Sequence, residues 1–206
     1  IAPDGAPGIP PPTDDEAIRN YFNNYLLRGV LREKEHYTYA SWISGLKKFV
    51  KGPKGGKRYQ SLKEKGIPRG TRLNQLEWCV KHFVEKGFGT NHCYITVGCA
   101  EGLLRYDWPY KDETERGTSE CLRGIALNIR DRKLNFEAKF RSWDLYAGLP
   151  ENLGGLMWLM QYTSNMINSM KKEGQPEVEP GMLTAVSNGL HVYSSYIDAA
   201  KLKVGV

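Results

Sequence analysis

Residues 125–140 constrain the fold more than any other stretch. Ile125, Leu127 and Ile129 alternate with polar residues, and so do Leu134, Phe136, Ala138 and Phe140. Successive side chains of a strand point to opposite faces, so each run has one buried face and one open face. Asp131-Arg132-Lys133 forms the turn between them. The pattern predicts an antiparallel hairpin with an apolar side that helices must cover.

Helical spacing on both sides of the hairpin supplies that cover. Residues 14–31 read as a helix capped by Asp14 or Asp15, with Ile18, Tyr21, Phe22, Tyr25 and Leu26 on one face. A second amphipathic segment, 37–50, holds Tyr39, Trp42, Ile43 and Leu46, and a third, 72–86, holds Leu73, Leu76, Val80, Phe83 and Val84. Residues 153–172 carry the widest apolar stripe: Leu153, Leu156, Met157, Met160, Ile167 and Met170. That width predicts burial against the sheet, with the methionines as core filler. Gly174 and Pro176 are expected to stop the helix. Further strands are expected at 94–97 and 183–186, and a short helix from about Ser195. Residues 1–13 are a Pro- and Gly-rich extended lead-in, and 51–70 and 98–120 are polar loops. The class is α+β, with one domain over residues 14–206.

Composition narrows the setting. The chain has 206 residues, of which 40% are hydrophobic, enough for one sizeable core. No apolar run approaches the roughly 20 residues of a membrane helix, and no secretory signal is visible. The four cysteines, Cys79, Cys93, Cys99 and Cys121, include no CxxC pair, which argues against a metal site and for reduced thiols in a cytoplasmic protein. Cys79 and Cys93 have apolar neighbours and are expected in the core. The net charge of +6 fits either a Lys-rich solvated surface or an anionic ligand, a nucleotide phosphate or a nucleic acid.

The reactive side chains gather around the hairpin. Cys121 stands at its start and Arg141 at its far end, both about ten residues from the turn, so pairing brings them together. A guanidinium beside a thiol favours the nucleophilic thiolate. Arg141-Ser142 offers a planar fork and a hydroxyl suited to an anion. Asp144 and Asn152 flank Gly148-Leu149-Pro150, and the Asn152 amide, donor and acceptor at once, can read the O4 and N3 edge of a uracil ring. His191 and Tyr193 alternate on a strand and face one side. Each has a plain structural explanation when taken alone; a single histidine is more often a core or surface residue.

Their order and spacing together resemble the thymidylate synthase family. There a nucleophilic Cys is followed, after two strands, by Arg-Ser-x-Asp, then Gly-Leu/Ile-Pro-x-Asn, then His-x-Tyr. The separations agree: Cys121 to Arg141 is 141 − 121 = 20 positions, Asp144 to Gly148 is 4, and Asp144 to Asn152 is 8. The resemblance covers residues 119–193. It extends more weakly to Tyr39-Ala40-Ser41-Trp42 and Leu73-Asn74-Gln75-Leu76, and is greatest to short archaeal-type members. It implies a mixed sheet with packed helices and a homodimer joined through that sheet. It also implies a reaction: dUMP to dTMP, with methylene-tetrahydrofolate or a related methylene-pterin as co-substrate and no metal. Cys121 would add to carbon 6 of the pyrimidine, and carbon 5 would then attack the methylene group. Arg141 and Ser142 would hold the phosphate, Asn152 the uracil, and His191 and Tyr193 the ribose. Asp144, with Gly148 beside it, would meet the pterin, and Tyr39 would help remove the carbon-5 proton.

The chain departs from the family pattern at several points. Glu120 replaces the Pro before the nucleophile, and Gly189 stands where an Asp usually precedes the His. Thr90-Asn91-His92-Cys93 lacks the Arg pair that a partner subunit donates to the phosphate, leaving Arg72, Arg105 or Arg123 to substitute. The upstream proton-relay Glu has no counterpart. Two other readings follow: a pyrimidine-nucleotide hydroxymethylase of the same fold, and a relative that binds nucleotide or RNA without turnover.

Overall fold

In a computed structural model of the protein, residues 11–30, 37–45, 74–98 and 120–204 are described. The lead-in through residue 10, Leu46, the 51–70 loop and residues 99–119, including Cys99, Arg105 and the start of the resemblance at 119, lie outside them, as do Arg72 and Leu73.

The hairpin forms as its alternation requires. Strands Leu122–Arg130 (β2) and Lys133–Phe140 (β3) pair antiparallel, with Arg130 opposite Lys133. Only Asp131 (φ 49°) and Arg132 (φ 63°) lie between them, both left-handed, as a two-residue type I′ connection demands. Tyr94–Thr96 (β1) adds antiparallel to β2, and Glu179–Ser187 (β5) adds parallel to β3, giving a mixed sheet in the order β1-β2-β3-β5. β5 is longer than its apolar residues 183–186 suggest. Trp143–Asp144 (β4) and Leu190–His191 (β6) continue beyond β3 and β5 and pair in parallel as a small second sheet. Ile125, Leu127, Ile129, Leu134, Phe136, Ala138 and Phe140 are all buried.

Helices cover that face. Asp14 caps helix Asp15–Asn20 (α1) through a bond from the Ala17 N–H at 2.7 Å, satisfying one of the first-turn donors. The helix then widens into a π-helical segment, Tyr21–Arg28, and ends at Gly29 in the left-handed region (φ 71°). Tyr21, Phe22 and Leu26 are buried as their spacing predicts; the change from α to π is not encoded in that spacing. In the second segment only Ala40–Ile43 (α2) is helical among the described residues. Gln75–Lys86 (α3), capped by Asn74, buries Leu76, Cys79, Val80, Phe83 and Val84.

The long helix Gly148–Met170 (α4) starts five residues earlier than its apolar stripe suggests. Asp144 explains the difference: its Oδ2 accepts the N–H groups of Ala147 and Gly148 at 3.2 and 3.0 Å. Pro150 then falls in the first turn, where a missing N–H costs no intrahelical bond. The helix ends at Met170, before Gly174, because Lys171 is extended (ψ 146°). Leu156, Met160 and Ile167 are buried, together with Leu159, Thr163 and Ser164. Met157 and Met170 are not core filler; they are 43% and 40% exposed. Met157 lies about 100° around the helix from Leu156, and Met170 sits in the final turn. Gly155 lets this helix approach the π-helical segment: a Cβ there would collide with the Tyr21 ring and come within 3.2 Å of Leu26. A 3-10 turn, Ser194–Tyr196, and helix Ile197–Val204 (α5) close the described chain, with the turn at the expected Ser195. Among the described residues, no helix is long and apolar enough to cross a membrane.

Candidate active site

Cys121 occupies the bend just before β2 and is partly exposed; Arg141 follows β3 directly. Ladder pairing continues past the strand ends, for the Arg141 N–H donates to the Cys121 carbonyl at 2.8 Å. The guanidinium folds back, and its Nη2 donates to the Cys121 sulfur at 3.6 Å. The expected meeting of residues 121 and 141 is therefore direct. Cys79 and Cys93 provide the contrast. Both are buried, the Cys93 thiol donates to the Cys79 carbonyl at 3.7 Å, and bonding to Cys93 together with burial pushes the Cys79 thiol up. Of the three described cysteines, Cys121 alone combines access with a cation.

The paired strands β4 and β6 bring the later motifs beside it. Asp144 pairs with His191 in register, and the Ser142 hydroxyl lies 3.0 Å from His191 Nδ1. The Tyr193 ring meets the His191 ring edge-on, with centroids 4.9 Å apart. The strand ends at His191, yet both rings still share one side. Burial raises the Tyr193 pKa; the Cys121 and Asp144 charges add to that rise, and Arg141 opposes it. Tyr193 thus lies within electrostatic reach of the nucleophile candidate, the acid and the cation.

Asp144 has a structural task at the start of α4. Oδ1 accepts the Tyr146 N–H at 3.2 Å, in addition to the two bonds at Oδ2. A carboxylate has about four acceptor sites, so about one remains. Gly148 is packed closely against it, 3.2 Å from Asp144 Cβ for a Cβ at that position. Asn152 lies in the second turn of the helix, not beyond a free turn. Its Oδ1 accepts the Trp143 indole N–H at 3.0 Å. Indole only donates, which fixes the amide orientation and leaves the NH₂ as the donor end. Trp143 is itself stacked on Phe140 at 4.2 Å.

Two tyrosines, Tyr37 and Tyr39, come from the segment just ahead of α2, where Tyr39 is the helix N-cap. The buried Tyr39 hydroxyl accepts the Leu122 N–H at 3.1 Å, and its ring meets the Tyr25 ring edge-on at 5.0 Å. Burial first, then the nearby Cys121 charge, pushes the Tyr37 pKa well up. Tyr39 was singled out from the sequence and Tyr37 was passed over.

Glu120 is buried beside the nucleophile candidate. Oε1 accepts the Trp42 indole N–H at 3.1 Å, and Oε2 lies 3.7 Å from Arg123 Nη1. Arg123 thus faces this carboxylate as an ion pair. Gly98 (φ 79°) lies flush against the pair, where a Cβ would stand 2.8 Å from Oε2. Trp42 is held in turn by Gln75, whose amide bridges the Trp42 carbonyl (2.8 Å) and both backbone groups of Thr96 (2.9 and 3.0 Å). Among the described residues, no group of three or more His, Cys, Asp or Glu could hold a metal ion.

No protein-family model matches the chain. It is 35% identical over 86 residues to a protein of Methanosarcina acetivorans named "Putative thymidylate synthase", a stretch covering 42% of this chain and 36% of that protein. Proteins of the same name from Methanosarcina mazei and Methanosarcina barkeri are 33% and 28% identical, also over 86 residues. The match spans about a third of the length of these relatives. It establishes a distant thymidylate synthase-like relationship, consistent with the α+β fold and its mixed sheet.

Proposed function

We propose that the chain carries a thymidylate synthase-type site that transfers a one-carbon unit to carbon 5 of a uracil nucleotide, converting dUMP to dTMP through a covalent adduct on Cys121. One observation carries the reading: a partly exposed cysteine whose sulfur lies 3.6 Å from a guanidinium nitrogen at the open end of a β-hairpin. Arg141 there can accompany both the sulfur and a substrate phosphate, since its fork has five donors. The Cys121 sulfur bonds to carbon 6, and the electrons of the ring double bond move to carbon 5. A methylene-tetrahydrofolate or related methylene-pterin supplies the carbon that carbon 5 attacks. Carbon 5 would then lose its proton as the carrier's nitrogen leaves, and a hydride from the reduced carrier, itself oxidised to the dihydro form, would convert the exocyclic methylene to methyl as the sulfur departs with its electron pair and the ring double bond returns.

The surrounding groups divide the binding work. Ser142 and His191, already 3.0 Å apart, with Tyr193 alongside, suit the phosphate and ribose hydroxyl. The donor end of Asn152 suits the uracil carbonyl. The remaining acceptor site of Asp144 fits a pterin N–H. The open face of the sheet carries Tyr94, Met182 and Val186 at 51%, 66% and 45% exposure, which fits a homodimer packed through the sheet.

Incubation with 5-fluoro-dUMP and a methylene-carrying folate, followed by peptide mass mapping, tests the reading. An adduct on Cys121 is expected. No adduct with any pyrimidine nucleotide leaves the binding-only relative as the better account. With dUMP, the product mass separates methyl from hydroxymethyl transfer. Asn152→Asp is expected to shift preference toward a cytosine nucleotide; unchanged preference removes Asn152 as the base reader.

A further inference from the structure

Among the described residues Glu120 is the only charged side chain that is buried, at 4% exposure, and it directly precedes the candidate nucleophile. Burying a carboxylate is costly, and a buried ion pair is weak evidence of stabilisation, because apolar replacements often do as well. We propose that Glu120 is a positioning residue: its bond to Trp42 sets the bend at Cys121 and so aims the sulfur at Arg141. The inference rests on the reading of Cys121 as nucleophile.

Three consecutive residues are held from different sides. Ahead of the sulfur, Glu120 Oε1 accepts the Trp42 indole N–H at 3.1 Å. At the residue itself, the Cys121 carbonyl accepts the Arg141 N–H at 2.8 Å. Just after it, the Leu122 N–H donates to the Tyr39 hydroxyl at 3.1 Å. The first and third bonds reach one short element, since Tyr39 caps α2 and Trp42 lies within it. That element thus splints residues 120–122, and the Gln75 amide ties it to Thr96 of β1 through the Trp42 carbonyl. With the chain pinned on both sides, the Cys121 sulfur meets the guanidinium, 3.6 Å from Nη2.

The path of the chain agrees with this role. Side chains three apart lie on opposite faces of a regular strand, yet Glu120 Oε2 and Arg123 Nη1 are 3.7 Å apart. A bend at Cys121 and a step in register bring them together. Leu122 faces Phe140 and Gly124 faces Lys139, which leaves Arg123 as the extra residue of a bulge. Bulges re-aim side chains. Gly98 makes room for the pair: a Cβ there would stand 2.6 Å from Arg123 Nη1 and 2.8 Å from Glu120 Oε2. Arg123 offsets the carboxylate charge beside the sulfur, while the Trp42 bond supplies direction.

The test reads the aim of the sulfur through the charge of an alkylating reagent. Iodoacetate is an anion and iodoacetamide is neutral. A sulfur beside Arg141 favours the anion, so the ratio of the two rates at Cys121, followed by peptide mass, is expected to exceed that of free cysteine. Glu120→Gln and Glu120→Leu lose the same charge and differ in the oxygen that Trp42 requires. A hydrogen bond to a charged group is worth roughly tenfold or more, so Glu120→Leu is expected to react with iodoacetamide about tenfold more slowly than Glu120→Gln. Its iodoacetate preference is expected to be about threefold lower, because the sulfur no longer lies against the cation. In a Trp42→Phe background the two variants are expected to become equal. A purely structural contribution would lower the melting temperature of Glu120→Leu but leave rate and ratio equal in the two folded variants.

Equal rates or equal ratios in Glu120→Gln and Glu120→Leu overturn the inference. So does a difference that persists in the Trp42→Phe background, or a wild-type ratio no higher than that of free cysteine. If Glu120→Leu does not fold, Trp42→Phe, which keeps every charge, is compared with wild type; the same losses are expected, and unchanged values overturn the inference. Wild-type protein that shows the reagent preference but forms no adduct with 5-fluoro-dUMP defeats the proposed function, while the comparison of Glu120→Gln with Glu120→Leu still decides the role of Glu120.

Discussion

The two ends of the β2–β3 hairpin carry similar charges in opposite settings. At the turn end Lys133 donates to Glu179 across the β3–β5 pairing, and the two side chains are 51% and 67% exposed. At the open end Arg141 donates to Cys121, walled in by Tyr37, Tyr39 and the buried Glu120. Water screens the first pair more than the second, whose residues are only partly exposed. One hairpin thus holds a group whose partners should dominate its reactivity and another whose partner should barely matter. What separates them is the layer of helix and tyrosine over the open end.

The largest contrast is chemical. Cys121→Ser is expected to abolish both adduct formation and alkylation at that position, because a hydroxyl is a far weaker nucleophile than a thiolate at neutral pH. Cys79→Ala is expected to leave the Cys121 chemistry intact and to cost about 1 kcal/mol in urea denaturation for the small cavity it opens. Loss of the Cys121 adduct in Cys79→Ala would show that the open end does not act independently of the core cysteines.

The next effect concerns alkaline stability. Tyr21, Tyr37 and Tyr39 all have pKa values raised above 10.0, burial being the leading cause in each. A raised folded value means that these groups contribute stability below their unfolded value near 10, which is lost as pH climbs above it toward the folded values. Each proton adds about 1.4 kcal/mol per pH unit to the slope. Unfolding free energy should therefore drop steeply above pH 10, and Tyr39→Phe should remove about one third of that added slope. Urea titrations at pH 8 through 11.5 measure it. An unchanged slope in the variant would mean the open end is wetter than its packing indicates.

Legibility follows the same division. The hairpin was readable because alternation and a polar turn are local signals, and the pairing of residues 121 and 141 follows from counting. The Asp14 cap was readable for the same reason. The start of α4 was not, because it depends on a carboxylate four residues upstream of the helix. Met157 reads as part of an apolar stripe, but which arc of a helix is covered depends on its neighbours. Tyr37 was missed because its nearness to Cys121 joins positions 84 apart in sequence (121 − 37), and no periodicity encodes that path. The π-helical segment at Tyr21–Arg28 has the same side-chain spacing that an α-helix would bury.

At the turn end, Arg132 stands at φ 63°, where a side chain costs about 1–2 kcal/mol. Arg132→Gly removes that strain and gives back roughly 0.5–1 kcal/mol through the freer unfolded chain. A net gain of about 1 kcal/mol is expected, with adduct formation unchanged. A loss of stability would show that Arg132 makes a contact worth more than its strain, and a change in adduct rate would show that the hairpin transmits distortion along its length.

The smallest effect is expected at the exposed ion pair. The bond from Lys133 is the main reason the Glu179 carboxyl is held below its usual value of 4.5, with the lysine charge second. A depressed folded value contributes stability above the unfolded value, and that contribution disappears as pH falls through the folded one. Glu179→Gln should therefore matter only above about pH 4.5, and there very little, because full hydration and two flexible side chains cancel most of the attraction. Melting of Glu179→Gln at pH 7 should match wild type within error, at low salt and in 0.5 M salt alike. A clear loss at low salt that vanishes at high salt would mean that the turn end is held by charge after all. Solvent cover would then no longer suffice to explain why one end of the hairpin is reactive and the other inert.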